Sequence, residues 1–141
     1  QIPRKHGYPT EEHYATTDDG YRLTFRGYDF LAIRTLVKRG LISGIGRQIG
    51  VGKESDVSEA HDARTEPPTV NVIKLHRLGT TALHNVRSKR AYLRRKTTAV
   101  SNWLYMSRLS ALKEYAFMEI LHKREFPVPT PIDCSRHAVL M

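Results

Sequence analysis

Gly50-Val51-Gly52-Lys53-Glu54-Ser55-Asp56-Val57, followed downstream by Val72-Ile73-Lys74-Leu75, decides how this 141-residue chain is read. Two glycines one residue apart let the backbone turn tightly and bring its N–H groups against an anion. Ser55 is small and adds a hydroxyl donor, and Lys53 adds a positive charge. For Gly50 and Gly52 alone, an ordinary glycine-rich hairpin turn is the better reading. Lys74 shifts the balance. Val70 to Leu75 is rich in β-branched residues and predicts a strand, and an ammonium within an apolar run is costly unless it has a partner. A solvent-facing strand lysine is the alternative.

Three phosphate-binding templates can be tested on this stretch. The kinase glycine-rich pattern G-x-G-x-x-G-x-V is met at Gly50, Gly52 and Val57, with Ser55 in place of the third glycine. Lys74 then stands where V-A-I-K places the lysine that pairs with the α and β phosphates and with a helix glutamate. A Walker A loop fails, because Arg47 occupies the first glycine position and Glu54 follows Lys53 where a hydroxyl is required. A Rossmann turn fails too: a polar stretch and an apolar run follow, not a helix.

The glutamate is sought on the strongest helix of the chain, about Trp103 to Arg124. Leu109, Leu112, Ala116 and Ile120 recur at three- and four-residue spacing, Phe117 and Leu121 widen the stripe, and this face is expected to be buried. Lys123 and Arg124 suit the negative end of the helix dipole, and Pro127, Pro129 and Pro131 prevent continuation. Glu114 and Glu119 are the candidates to reach Lys74. Glu114 lies nearer the edge of the stripe and is chosen; on spacing alone an ordinary surface carboxylate is as good a reading.

The rest of the chain predicts short elements. Tyr14 to Thr17 and Tyr21 to Phe25 flank Asp18-Asp19-Gly20 as a hairpin. Gly27 to Arg39 has near-helical apolar spacing and stops at Gly40. Ile42, Ile45 and Ile49 mark a strand into the glycine turn. The polar residues Ser58 to Thr69 predict a short or irregular hairpin. Pro131 to Cys134 and His137 to Met141 read as two strands joined by a turn at Ser135-Arg136. The class is α+β.

Charge is uneven. The net value is +9, yet Pro67 to Lys113 contains ten Lys and Arg and no acid, leaving 13 basic against 14 acidic residues elsewhere. Arg87, Lys89, Arg90, Arg94, Arg95 and Lys96, with Tyr92 interleaved, suit a phosphate backbone, since each neutralised phosphate releases counterions. A solvated loop is the alternative. Hydrophobic residues make up 40% of the chain, which excludes a wholly disordered protein. No stretch reads as a membrane span or a signal peptide. The single Cys134 cannot form an internal disulfide, which fits a reducing, cytosolic or nuclear setting, and its apolar neighbours suggest a buried structural thiol. His61, His76 and His84 lack paired ligand spacing, so no metal site is expected.

Longer blocks carry a family resemblance. Gly20-Tyr21-Arg22-Leu23-Thr24 with Gly27-Tyr28-Asp29, the glycine turn, Lys74-Leu75-His76-Arg77-Leu78-Gly79, Trp103 to Ala111, Lys113-Glu114, and Phe126 to Asp133 resemble the RIO atypical serine kinases, specifically the second subfamily. The resemblance implies the end of a winged-helix domain over 1–26, a linker helix over 27–41 and a kinase-like N-terminal lobe over 42–141, an antiparallel sheet with one long helix. It implies ATP and Mg²⁺ as cofactors, with the metal ligands outside these residues. Partners would be the immature small (40S) ribosomal particle, its RNA and assembly factors, in the cytoplasm. By motif, Gly50, Gly52, Lys53, Ser55 and Val57 would line the nucleotide, Lys74 would orient phosphate, Glu114 would hold Lys74, and Met141 would back the adenine pocket. The basic segment, Arg87 to Lys96, would meet RNA. No His-Arg-Asp or Asp-Phe-Gly segment is present and the chain begins at Gln1, so it is expected to be an internal piece that is not a competent enzyme alone. A non-catalytic RNA-binding assembly module is the other reading.

Overall fold

The computed structural model describes residues 15–16, 22–23, 25–78 and 103–141. Ala15–Thr16 (β1) and Arg22–Leu23 (β2) form an antiparallel pair, Ala15 opposite Leu23. Phe25–Lys38 (α1) follows, and Tyr28, Ala32 and Leu36, four residues apart, form its buried stripe. Its end is set by Gly40, at φ 70°. That left-handed turn lets Gly40 N–H reach Val37 O at 2.9 Å and Leu41 N–H reach Leu36 O at 3.2 Å, a Schellman closure with Leu41 packed into the same cluster as Leu36.

Five antiparallel strands follow: Ile42–Val51 (β3), Ser55–Asp62 (β4), Val70–His76 (β5), Asp133–Ser135 (β6) and Ala138–Leu140 (β7), in the spatial order β3-β4-β5-β7-β6. Strand alternation divides their side chains between two faces. Ile73, Leu75, Ala138, Leu140, Ala60 and Ile42 bury against Ala32 and Leu36 of α1. Val139, with Cys134 and Met141, packs on the other face against Ala111 and Met118 of Trp103–Lys123 (α2). Among the described residues, the sheet is thus covered by one helix on each side.

Three sequence expectations are corrected. β4 is neither short nor irregular: it pairs with β5 in unbroken register from Ser55 opposite His76 to His61 opposite Val70. Its polar composition is tolerated because the buried Asp62 is satisfied locally, by Arg64 N–H at 2.8 Å, the Arg64 guanidinium at 2.9 and 2.7 Å, and Asn71 Nδ2 at 3.0 Å. The last hairpin turns at Arg136-His137, one residue later than expected, with Ser135 paired to Ala138 and Arg136 at φ 55°.

The third correction concerns α2. Its buried residues are Trp103, Met106, Ser107, Ala111 and Met118, whereas Leu112, Phe117 and Ile120 are 46%, 56% and 50% exposed. Ala116 is exposed too, and Leu109 and Leu121 are only half-buried. This helix is apolar over much of its circumference, so periodicity could not say which side meets the sheet. The side chosen carries the small Ala111, which permits close approach, and Ser107, whose Oγ accepts from Leu78 N–H at 3.0 Å. Beyond α2, Glu125 at φ 59° gives a second Schellman-type end, with Phe126 N–H on Leu121 O at 3.1 Å.

These burial assignments predict opposite outcomes for two apolar truncations. Ile73→Ala should lower the free energy of unfolding by about 2–5 kcal/mol, and Phe117→Ala by about 0.5 kcal/mol or less, both read from urea denaturation. A large loss at Phe117 would contradict the placement of α2.

Candidate nucleotide site

The glycine turn lies between β3 and β4. Gly52 N–H donates to Ser55 O at 2.8 Å, and a Cβ at Gly52 would stand 3.2 Å from that same oxygen, so the turn leaves little space for a side chain. Gly50 is different: a Cβ there would meet nothing within 4 Å. Gly50 is opposite Val57, Val57 opposite Lys74, Lys74 opposite Val139 and Val139 opposite Cys134, a single row across the sheet. Directly opposed residues project to the same side. The row therefore runs from an open position beside the turn, over an apolar floor, to a lysine. Ser55 and His76, opposed one step along, share that face.

The α2 helix crosses this face and presents Glu114. Lys74 Nζ donates to both carboxylate oxygens at 2.8 Å. Of the two glutamates weighed from sequence, Glu114 is the one that meets the lysine. His76, which sequence reading missed as part of this group, brings Nε2 to 3.3 Å from Glu114 Oε2, within ion-pair range though not aligned as a hydrogen bond. The available signal was its spacing: two residues after Lys74 on one strand, a buried ring must share the lysine's face. His76 and then Lys74 draw the Glu114 carboxyl down to about 2, against the burial that would raise it.

The other expected site residues fall in distinct places. Lys53 is exposed at the tip of the turn. Met141 is half-buried, exchanges backbone hydrogen bonds with Val72 at 2.7 and 2.9 Å, and joins the cluster of Val139 on the Lys74 side. Cys134 is a half-buried free thiol, pushed up to about 11 by burial and the neighbouring Asp133 charge, which makes it an inert packing group rather than a nucleophile. Arg87, Lys89, Arg90, Arg94, Arg95 and Lys96 lie outside the described residues. Among the described residues no three His, Cys, Asp or Glu side chains converge to hold a metal, and no helix is long and apolar enough to cross a membrane.

An adenine nucleotide fits this donor set. Gly50 leaves space where a side chain would intrude, Val57 and Met141 offer apolar contact, Ser55 carries a hydroxyl, and Lys74 is a held cation beside them. A lysine fixed by a carboxylate is suited to neutralising phosphate without needing to reorganise.

Comparison with known proteins identifies the family. The family model described as RIO domain matches residues 56–141, and that described as Rio2, N-terminal, matches residues 11–39. "Serine/threonine-protein kinase rio2" of Dictyostelium discoideum is 51% identical over 130 residues, 92% of this chain and 24% of that protein. "Serine/threonine-protein kinase RIO2" of Saccharomyces cerevisiae is 48% identical over 123 residues, 87% of this chain and 28% of that protein. Among solved structures, the Rio2 kinase-ADP/Mg²⁺-phosphoaspartate complex from Chaetomium thermophilum superposes with a TM-score of 0.67 at 44% identity, covering 91% of this chain and 36% of that one. The chain thus spans well under half the length of each of these relatives.

Glu114 gives the site a pH signature. Its folded pKa, about 2, lies below the ordinary 4.5, so the stability it contributes is complete above about pH 4.5 and is lost as the pH falls toward 2. Glu114→Gln should flatten the acid limb of a stability-against-pH profile in that window, followed by urea midpoints. An acid limb identical to that of the wild type would show that the ion pair contributes nothing there.

Proposed function

Because the chain belongs to the RIO domain family, we propose that it is the ATP-binding part of a serine/threonine kinase or ATPase that acts in cytoplasmic maturation of the small (40S) ribosomal subunit. The observation that carries the nucleotide reading is the Lys74–Glu114 pair at 2.8 Å, on the same sheet face and in the same cross-strand row as the open position at Gly50. The names of the relatives, serine/threonine kinases, and the ADP/Mg²⁺ complex of the Chaetomium thermophilum protein support the same chemistry.

Each residue has a definite task in this reading. Backbone N–H groups of the glycine turn and the Ser55 hydroxyl donate to phosphate oxygens. Val57 packs on the base and Met141 backs its pocket. Glu114 holds the Lys74 ammonium in place, and Lys74 neutralises the α and β phosphates, a role no neutral side chain can take in a dry cleft. When bound, Mg-ATP supplies the transferable phosphoryl group. Transfer itself is governed by positioning and charge neutralisation, which is what this lobe is built to provide.

Lys74→Ala in the full-length protein should reduce Mg-ATP turnover by about 10²-fold or more while the thermal unfolding profile stays cooperative. Turnover at the wild-type rate would overturn the assignment of Lys74.

The ribosomal part of the proposal rests on the resemblance and on the basic composition of Arg87 to Lys96. Replacing Arg87, Lys89, Arg90, Arg94, Arg95 and Lys96 with glutamine should weaken binding to small-subunit precursor RNA and flatten its salt dependence, because fewer counterions are released. Nucleotide binding should persist. Equal RNA affinity and salt slope in variant and wild type would remove RNA contact from this segment. RNA binding by a full-length protein that takes no nucleotide would favour the non-catalytic assembly module.

A further inference from the structure

On the sheet face opposite Lys74, a second charged cluster links α1 to the exit of the glycine turn. Arg77, the residue after β5, donates Nη1 and Nη2 to Asp29 Oδ1 and Oδ2 at 2.6 and 2.8 Å, a bidentate pair with α1. Its Nε donates to Asp56 Oδ2 at 2.9 Å, and its backbone N–H donates to Glu54 O at 2.6 Å. His137, fully buried, places Nε2 2.7 Å from Asp29 Oδ1 and its ring 5.1 Å from that of Tyr28. The guanidinium of Arg136 lies over Tyr28 at 5.3 Å.

The location of these bonds matters more than their number. Ser55 opposite His76 is the last ladder pair between β4 and β5, so the sheet register is complete before Arg77 is reached. What Arg77 holds is the turn-side end of the ladder: its backbone N–H reaches Glu54, just beyond the last pair and within the turn, and its guanidinium reaches Asp56, the second residue of β4. Burial opposes charge on Asp29, but bonds from His137 and Arg77 keep its pKa below the ordinary value, so the pair is ionised and bidentate. A guanidinium fork shared by two carboxylates is directional, and moving either carboxylate misaligns the other.

We propose that Arg77 is a positioning residue for the phosphate-binding turn and that, through Asp29, it couples the setting of that turn to helix α1. Arg77 acts through Glu54 and Asp56 and not on the nucleotide itself. The coupling gives whatever is attached ahead of α1, including the β1–β2 pair, a mechanical route to the nucleotide site. This proposal rests on the nucleotide reading given above and deepens it.

Calorimetric titration of the full-length protein with ATP, ADP and adenosine tests it. In Asp56→Ala, which leaves the Asp29–Arg77 pair in place, affinity for ATP and ADP should fall about five- to tenfold while adenosine, which has no phosphate, stays within about twofold. Asp56→Asn keeps an acceptor for Arg77 Nε and should restore most of the loss. Asp29→Asn should reproduce the phosphate-selective defect from α1. An unchanged ADP affinity in Asp56→Ala, or equal losses for ADP and adenosine, would overturn the positioning role, the second outcome marking Asp56 as a general structural group. Wild-type protein that binds none of the three ligands would instead overturn the nucleotide reading, and this proposal with it.

Discussion

A lysine between two valines on a central strand must find a counter-charge, and the position of α2 follows from that need. Lys74 has Val57 on one side and Val139 on the other, so an unpaired ammonium there would face an apolar floor. Glu114 meets it with both oxygens, and it can do so only if α2 lies across the sheet with Ala111 and Met118 downward. Packing and pairing therefore select the same face of the helix. The apolar side bearing Leu112, Phe117 and Ile120 is left outward, although hydrophobicity alone would have buried it. Breaking one half of such a pair leaves a half-buried charge uncompensated, so the two residues act as a unit.

The sheet works as a partition between two charged systems. On the α2 side, Lys74, Glu114 and His76 present a fixed cation beside open space at Gly50. On the α1 side, Arg77 joins Asp29, Asp56 and His137 in a largely enclosed network. Strand alternation makes this possible: Lys74 and the backbone bearing Asp56 and Leu75 are neighbours in the chain order of β4 and β5, yet their side chains go opposite ways. One side presents a cation held by a carboxylate, the other ties the backbone at the exit of the glycine turn to α1.

Much of the site was legible in the sequence because its elements are local. Gly50, Gly52, Ser55 and Val57 lie within eight residues, and the template they fit requires a lysine on a following strand and a glutamate on a following helix. Lys74 and Glu114 met those requirements, and the structure brings them together at 2.8 Å. His76 was legible only in part: its spacing from Lys74 puts it on the lysine's face, but its burial and its approach to Glu114, nearly forty positions away, are decided by the packing of α2.

By itself, the sequence determined the α+β class, the two long helices and their ends, the strand carrying Lys74 and the tight turn before β4. Each follows from neighbours a few residues apart: periodicity, a left-handed glycine at Gly40, prolines after α2. Only the tertiary structure decided which side of α2 is buried, that polar β4 is a regular strand, and that Asp29, Asp56, Arg77 and His137 share one network. Those outcomes depend on contacts between residues up to 108 positions apart. Local propensity is silent there, because the energy of a buried charge is set by the partner that folding brings to it.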